Sequence, residues 1–179
     1  MILTGPQIAR EVEQGRIKID PFDLRRCTTN SYDLTLGNRV GVYLDEVLDP
    51  TREPEVEYRE IPSTGYRLER GDFALGHTVE RFGSDTLVPI VHATSGFARR
   101  GTFAHCTADL IDLGFYGCST LQLYATLPTV LYPGMPVAQV SWWETYGEID
   151  QLYNGKYQGA DGPLASRSHL DPWAVATRD

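Results

Sequence analysis

Apolar and polar residues alternate in short stretches along most of the chain, with a turn signal after about every ten residues. In Asn30–Gly37, Tyr32, Leu34 and Leu36 alternate with Ser31, Asp33 and Thr35, which puts one face of a strand in a core. The same period of two predicts strands over Val40–Leu44, Phe73–Glu80, Leu87–His92, Thr120–Tyr124 and Val137–Trp143. Arg70-Gly71-Asp72 reads as a turn, and Leu131–Met135 carries Pro133 then Gly134, the order a type II turn prefers. Residues 49–65 are rich in Pro, Glu, Thr and Arg and read as an exposed loop or a weak edge hairpin. Helical spacing is confined to the front. Thr4 is placed as an N-cap, Pro6 lies in the first turn, and Gln7 stands at the capping-box spacing. Ile8, Val12 and Ile17 form a loose apolar face and Gly15 ends the helix, giving a helix over about residues 5–14. One short helix before many short strands predicts a mainly β sandwich or barrel. Residues 1–152 form a single domain, and 153–179 are its C-terminal tail or lid.

Composition narrows the partners. A chain of 179 residues with 41% apolar and 22% charged residues can bury a core without staples. A net charge of −8 argues against a broad nucleic-acid footprint or an anionic membrane surface, so any phosphate site is local and built from few cations. Cys27, Cys106 and Cys118 are odd in number and lack C-x-x-C spacing, which fits a reducing compartment and no zinc cluster. The opening MILTGPQIAREVEQG has no apolar run of signal or membrane length, and the expectation is a cytoplasmic protein. His77, His92 and His105 lie on separate segments without ligand spacing.

Candidate chemistry concentrates in Thr94–Tyr124. Thr94-Ser95-Gly96 is a small-residue turn followed by Arg99 and Arg100. Backbone N–H groups and a short hydroxyl beside a guanidinium suit phosphate oxygens. Cys106–Asp112 reads as a hairpin-like segment that carries carboxylates. In the tail from Tyr153, a Gly- and Ser-rich stretch, Lys156 stands between Gly155 and Tyr157. Such a tail is a disordered end or a mobile lid whose lysine meets a phosphate.

Four blocks in this order resemble the dCTP deaminase branch of the dUTPase-like superfamily: Ile19–Gly37, Arg70–Glu80, Thr94–Gly117 and Tyr132–Gly159. The resemblance implies a distorted β-barrel or double sheet, a homotrimer with active sites at subunit interfaces, and the C-terminal tail as a lid over a nucleotide. It implies Mg²⁺ accompanying the phosphates and water activation without zinc; the zinc-deaminase signature of H-x-E with P-C-x-x-C is absent. Carried over residue by residue, Ser95 and Arg99 are similar to the pair that positions phosphate and water, and Asp112 to the carboxylate at the deoxyribose. Thr120, Leu121 and Gln122 lie where the family strand meets the base, and Tyr153, Lys156 and Gln158 fall in the lid motif.

The chain departs from the pattern at the strand position that carries a proton-shuttling Glu in the family, where it has Gln122. An amide has no useful pKa for moving protons between water, base and leaving ammonia. Thr94 stands where the loop usually begins with Arg or Lys, Gly96 where a second Ser is usual, and Asp109 where Gly is usual. Asp109 is a candidate acceptor for a donor-rich base edge or a solvated turn residue. The resemblance implies a nucleotide hydrolase, either a deaminase or a phosphohydrolase centred on Asp112. The alternative from another class is a catalytically inactive nucleotide-binding regulator.

Overall fold

The alternating stretches become two packed sheets in a computed structural model that describes residues 1–177. In chain order the elements are α1 (Gly5–Glu13), β1 (Lys18–Asp20), β2 (Tyr32–Thr35), β3 (Arg39–Tyr43), β4 (Val56–Glu60), β5 (Tyr66–Leu68), β6 (Phe73–Gly83), β7 (Leu87–Ala93), α2 (Ser95–Ala98), β8 (Thr102–Phe103), β9 (Tyr116–Ala125), β10 (Thr129–Leu131), β11 (Pro136–Glu144) and α3 (Pro172–Ala176). One sheet runs β4-β3-β6-β9-β8, with β1 pairing the far end of β6. The other runs β2-β11-β7, and β5 with β10 form a separate ribbon. All pairings are antiparallel.

The core fills the space between the sheets, as alternation on each strand requires. Trp142 of β11 is fully buried and meets Phe82 of β6 edge-to-face, with ring centroids 6.2 Å apart. Glu80 of β6 is also buried. Its carboxylate pairs with Arg26 and accepts from the Thr35 backbone N–H at 2.9 Å and the Thr35 hydroxyl at 2.8 Å. That pairing satisfies a charge which would otherwise be costly to bury, and it ties the turn Leu24–Arg26 and β2 to β6.

Local signals hold where the chemistry is local. Gly15, at φ +73°, follows the first helix. Met135 N–H closes the predicted turn on the Tyr132 carbonyl with Gly134 at φ +77°. The capping box does not form. Thr4 makes no side-chain cap, and Gln7 instead donates to Glu11 at 2.6 Å, where Arg16 also binds. Residues 49–65 contribute β4, an edge strand paired along all of β3. The tail is packed on its own chain as far as residue 177, with a turn at Ser168–Leu170 and then α3, so the disordered-end expectation is not met there. Residues 178 and 179, the end of the expected tail, lie outside the described residues. Among the described residues no helix is long and apolar enough to cross a membrane.

Candidate functional site

A cavity of about 680 Å³ opens between β9 and the C-terminal segment. This is ample for a small organic ligand. Period-two geometry explains which side chains reach it. On β9, Leu121 and Leu123 are buried in the core, so Thr120 and Gln122 face the other way, into the cavity. On β6, Leu75 is registered with Gln122 and shares that face. The loop before β9 adds Asp112 and Phe115.

The C-terminal segment forms the opposite wall because β9 leaves an edge open. β8 pairs only with Tyr124 and Ala125, so among the described residues the rest of that edge has no partner strand. The tail covers part of it: Gly159 N–H donates to the Tyr116 carbonyl at 3.1 Å and Cys118 N–H to the Ala160 carbonyl at 2.8 Å. Further on, Leu164 N–H donates to the Thr120 hydroxyl at 3.1 Å. Tyrosine hydroxyls serve as anchors for tail amides. Tyr43 accepts from Ser166 at 3.2 Å, Tyr153 from Tyr157 at 3.0 Å, and Tyr157 from Arg167 at 2.9 Å. The ring bodies line the cavity while their polar tips are satisfied behind it. Burial and the Ser166 contact act on Tyr43 in opposite senses; burial dominates and raises its pKa.

Gln122 has a fixed orientation. Its Nε2 donates to the Thr120 carbonyl at 3.1 Å, and turning the amide over would set two oxygens against each other. Its Oε1 is buried and has no hydrogen-bond partner among the described residues. The residue lines the cavity, and its wall keeps an unpaired acceptor. Lys156 is the one cation among the described lining residues, and its Nζ donates to Asp171 at 2.5 Å. Asp112 is exposed and also borders a second, smaller cavity of about 390 Å³ beside Leu110 and Leu152. No three His, Cys, Asp or Glu side chains among the described residues converge to hold a metal ion.

Of the residues singled out in the sequence, Asp112, Thr120, Gln122, Tyr153 and Lys156 come together at this cavity. The others do not line it. The Thr94–Gly96 turn is the start of the four-residue helix α2, and Thr94 caps it by accepting from Phe97 N–H at 3.3 Å. Ser95, Gly96 and Arg99 are exposed there, at the end of β7 on the other sheet. Asp109 lies outside the lining, and its backbone carbonyl accepts from Val91 N–H at 2.8 Å. The segment Cys106–Asp112 is not a hairpin: it runs alongside β7, with Leu110 bridged to Ile90. Leu121 is 1% exposed, so its side chain belongs to the core and not to a ligand contact. Gln158 docks the tail, accepting from Tyr116 N–H at 2.8 Å and donating to the Gly114 carbonyl at 2.7 Å. Sequence reasoning missed Tyr43, Phe73, Leu75, Tyr157 and Asp171. No local motif marks them: Tyr43 meets Ser166 across 123 residues, and Asp171 meets Lys156 only where the tail folds back.

Fold and site define a class: a mainly β double sheet with a cavity on one strand edge, walled by its own C-terminal segment. The chain belongs to the dCTP deaminase-like family, whose profile matches residues 2–145. It is similar to a dUMP-forming dCTP deaminase of Clostridium beijerinckii, 34% identical over 171 residues, 96% of this chain and 98% of the relative. It is 37% identical over the same shares to a dUMP-forming dCTP deaminase of Leptospira biflexa. Among solved structures, 2'-deoxycytidine 5'-triphosphate deaminase from Agrobacterium tumefaciens shares the fold with a TM-score of 0.63 at 19% identity. The match covers 79% of this chain and 47% of that longer chain.

Proposed function

We propose that this chain is a nucleotide hydrolase acting on a pyrimidine deoxynucleoside triphosphate, and that the bond it opens lies on the phosphate side. Support comes from the family and from the relatives, whose names describe dCTP as substrate and dUMP as product. By atom balance that conversion is two hydrolyses, one replacing the 4-amino group and one severing the phosphate chain. The observation that carries the reading for this chain is Gln122, a cavity-lining amide whose Nε2 is held by the Thr120 carbonyl and which stands where a titratable group would be needed.

In this reading the base lies against Leu75 and Phe115, and Gln122 Oε1 accepts from a base N–H, either the 4-amino group of cytosine or N3–H of uracil. Deamination needs a group that takes a proton from water and passes it to the ring and then to the departing ammonia. An amide does not titrate, so Gln122 reads the base and moves no proton. Asp112 at the cavity mouth orients the attacking water and takes its proton as oxygen bonds to phosphorus. The severed bridging oxygen leaves with its electron pair on the departing phosphate. Lys156 meets the phosphates. Ser95 and Arg99, outside the cavity of their own chain, reach phosphate only from a second copy, which is why a homotrimer belongs to the proposal. Mg²⁺ would be held by the nucleotide's own phosphates, since no metal-ligating cluster converges among the described residues, and would neutralise their charge when bound. The setting proposed is cytoplasmic, and the partners are a small nucleotide and other copies of this chain.

A second reading, deamination itself, is favoured by the identity of 34% and 37% to proteins bearing that name. It requires a proton carrier other than residue 122. Incubation with deoxynucleotides and identification of products by mass separates the two. Loss of phosphate with the base intact supports the proposal, and release of ammonia overturns it in favour of deamination.

A further inference from the structure

We infer that Asp171 is a positioning residue: it holds the Lys156 ammonium in place to receive a ligand's phosphates while the C-terminal segment stays closed over the cavity. This rests on Lys156 as the phosphate contact in the function proposed above. Lys156 Nζ donates to Asp171 Oδ1 at 2.5 Å, and both residues line the cavity. An ammonium carries three N–H donors. Asp171 takes one, and among the described residues Nζ has no second acceptor, so two stay available for phosphate oxygens. The ammonium also stands 5.6 Å from the centroid of the Tyr157 ring, a favourable place for a cation. An unheld lysine loses rotamer freedom when it meets a phosphate, and a lysine already held has lost much of it beforehand.

The returning tail is built to deliver Asp171 to that place. On its way the chain is tied to the large sheet twice: Leu164 N–H donates to the Thr120 hydroxyl of β9 at 3.1 Å, and Ser166 N–H to the Tyr43 hydroxyl of β3 at 3.2 Å. Arg167 follows, donating its backbone N–H to the Tyr157 hydroxyl at 2.9 Å and its guanidinium to the Lys156 carbonyl. Arg167 and Asp171 thus grip the two ends of Lys156, its carbonyl and its ammonium. The Asp171 carbonyl accepts from Ala174 and Val175 N–H, and Ala174 is buried, which fixes the backbone behind the carboxylate. One effect opposes the positioning. Asp171 adds negative charge to a cavity whose other charged lining residues are Asp112 and Lys156. Its side chain is 36% exposed, so solvent and salt screen its repulsion of a phosphate, and the positioning is the larger effect.

The test is a calorimetric titration of inorganic tripolyphosphate, which has neither base nor sugar, into the wild-type chain, D171N, K156M and K156M/D171N. D171N is expected to weaken binding about three- to tenfold. On top of K156M the same change is expected to cost nothing, because a positioning residue acts only through the group it positions. An equal loss with and without Lys156 overturns the inference and makes Asp171 a structural residue of the tail. Equal or tighter binding in D171N also overturns it, the tighter case meaning that its charge only repels the ligand, and so does a wild-type chain that binds no tripolyphosphate. If K156M binds too weakly to measure, D171E decides: recovery of affinity supports the inference, and affinity no better than that of D171N overturns it. A loss in D171N that depends on Lys156, with no pyrimidine nucleotide hydrolysed, would leave the positioning role standing and remove the functional proposal. Hydrolysis of a pyrimidine nucleotide, with D171N binding tripolyphosphate as the wild-type chain does, would do the reverse.

Discussion

Replacing Gln122 by Glu tests what the cavity offers at its centre. In the wild-type chain Nε2 donates to the Thr120 carbonyl and Oε1 has no partner among the described residues. An ionised carboxylate there would face the Thr120 carbonyl with no donor, while Lys156 is engaged by Asp171. The charged form is then disfavoured, and the variant's folded-state pKa should rise by about 1–2 units above the ordinary Glu value of about 4.3. Below that ordinary value the acid is protonated, donates to Thr120, and replaces the lost amide bond. As pH rises through the folded-state value, that advantage disappears. Each unit is about 1.4 kcal/mol, so the deficit of Gln122→Glu relative to wild type should grow by about 1.5–3 kcal/mol between acidic and alkaline pH. Urea unfolding of both proteins at pH 4.5 and pH 8 reads this difference, and thermal unfolding should show it as about 4–10 °C. A deficit that does not change with pH would refute the claim that Oε1 faces a site without donors. The same variant should gain release of ammonia from dCTP by about 10²-fold or more if the amide is what blocks proton transfer.

Other consequences follow from the same contacts. Trp142→Ala empties the junction between the sheets and should cost about 3–5 kcal/mol by urea unfolding, and a loss under about 1 kcal/mol would contradict the packing described. Tyr157→Phe removes the acceptor for Arg167 N–H, so amide exchange over residues 164–170 should speed up while exchange in β6 stays as it was. Burial holds His77 below the usual imidazole range, against a smaller opposing effect of the Thr78 carbonyl, with Arg39, Asp161 and Glu60 facing it. The unfolded chain takes up that proton near pH 6.5 and the folded chain only below it. Stability is therefore full above about pH 6.5 and declines as pH falls through that window. His77→Gln should flatten this part of the profile, and an unaltered slope would contradict it.

Much of the fold is legible because its determinants are local. The alternation in Tyr32–Leu36, the Pro133-Gly134 turn and Gly15 after the helix each act within a few residues. β4 is hard to see because it is an edge strand with four of its five residues exposed, so Glu57, Arg59 and Glu60 break any apolar face. The site divides the same way. Asp112, Gln122 and Lys156 stand in recognisable blocks, and the fold brings them to one cavity. Ser95 and Arg99 are close to Asp112 in sequence, yet Ser95 follows the end of β7 while Ile111 pairs with Pro89 near its start, so they lie toward opposite ends of that strand. Tyr43 and Ser166 meet across 123 residues, and Lys156 finds Asp171 only because the tail turns back on itself. Contacts of that kind leave no trace in local periodicity.

The most direct measurement is a turnover screen of the purified chain with Mg²⁺ against ribo- and deoxynucleotides of each base at each phosphorylation level, with products identified by mass. Loss of phosphate or pyrophosphate from a pyrimidine deoxynucleoside triphosphate, abolished in Asp112→Asn, is the expected result. Ammonia release from dCTP by the wild-type chain would contradict the role given to Gln122, and tight binding of one nucleotide with no product would make the chain a nucleotide-binding regulator instead of a hydrolase.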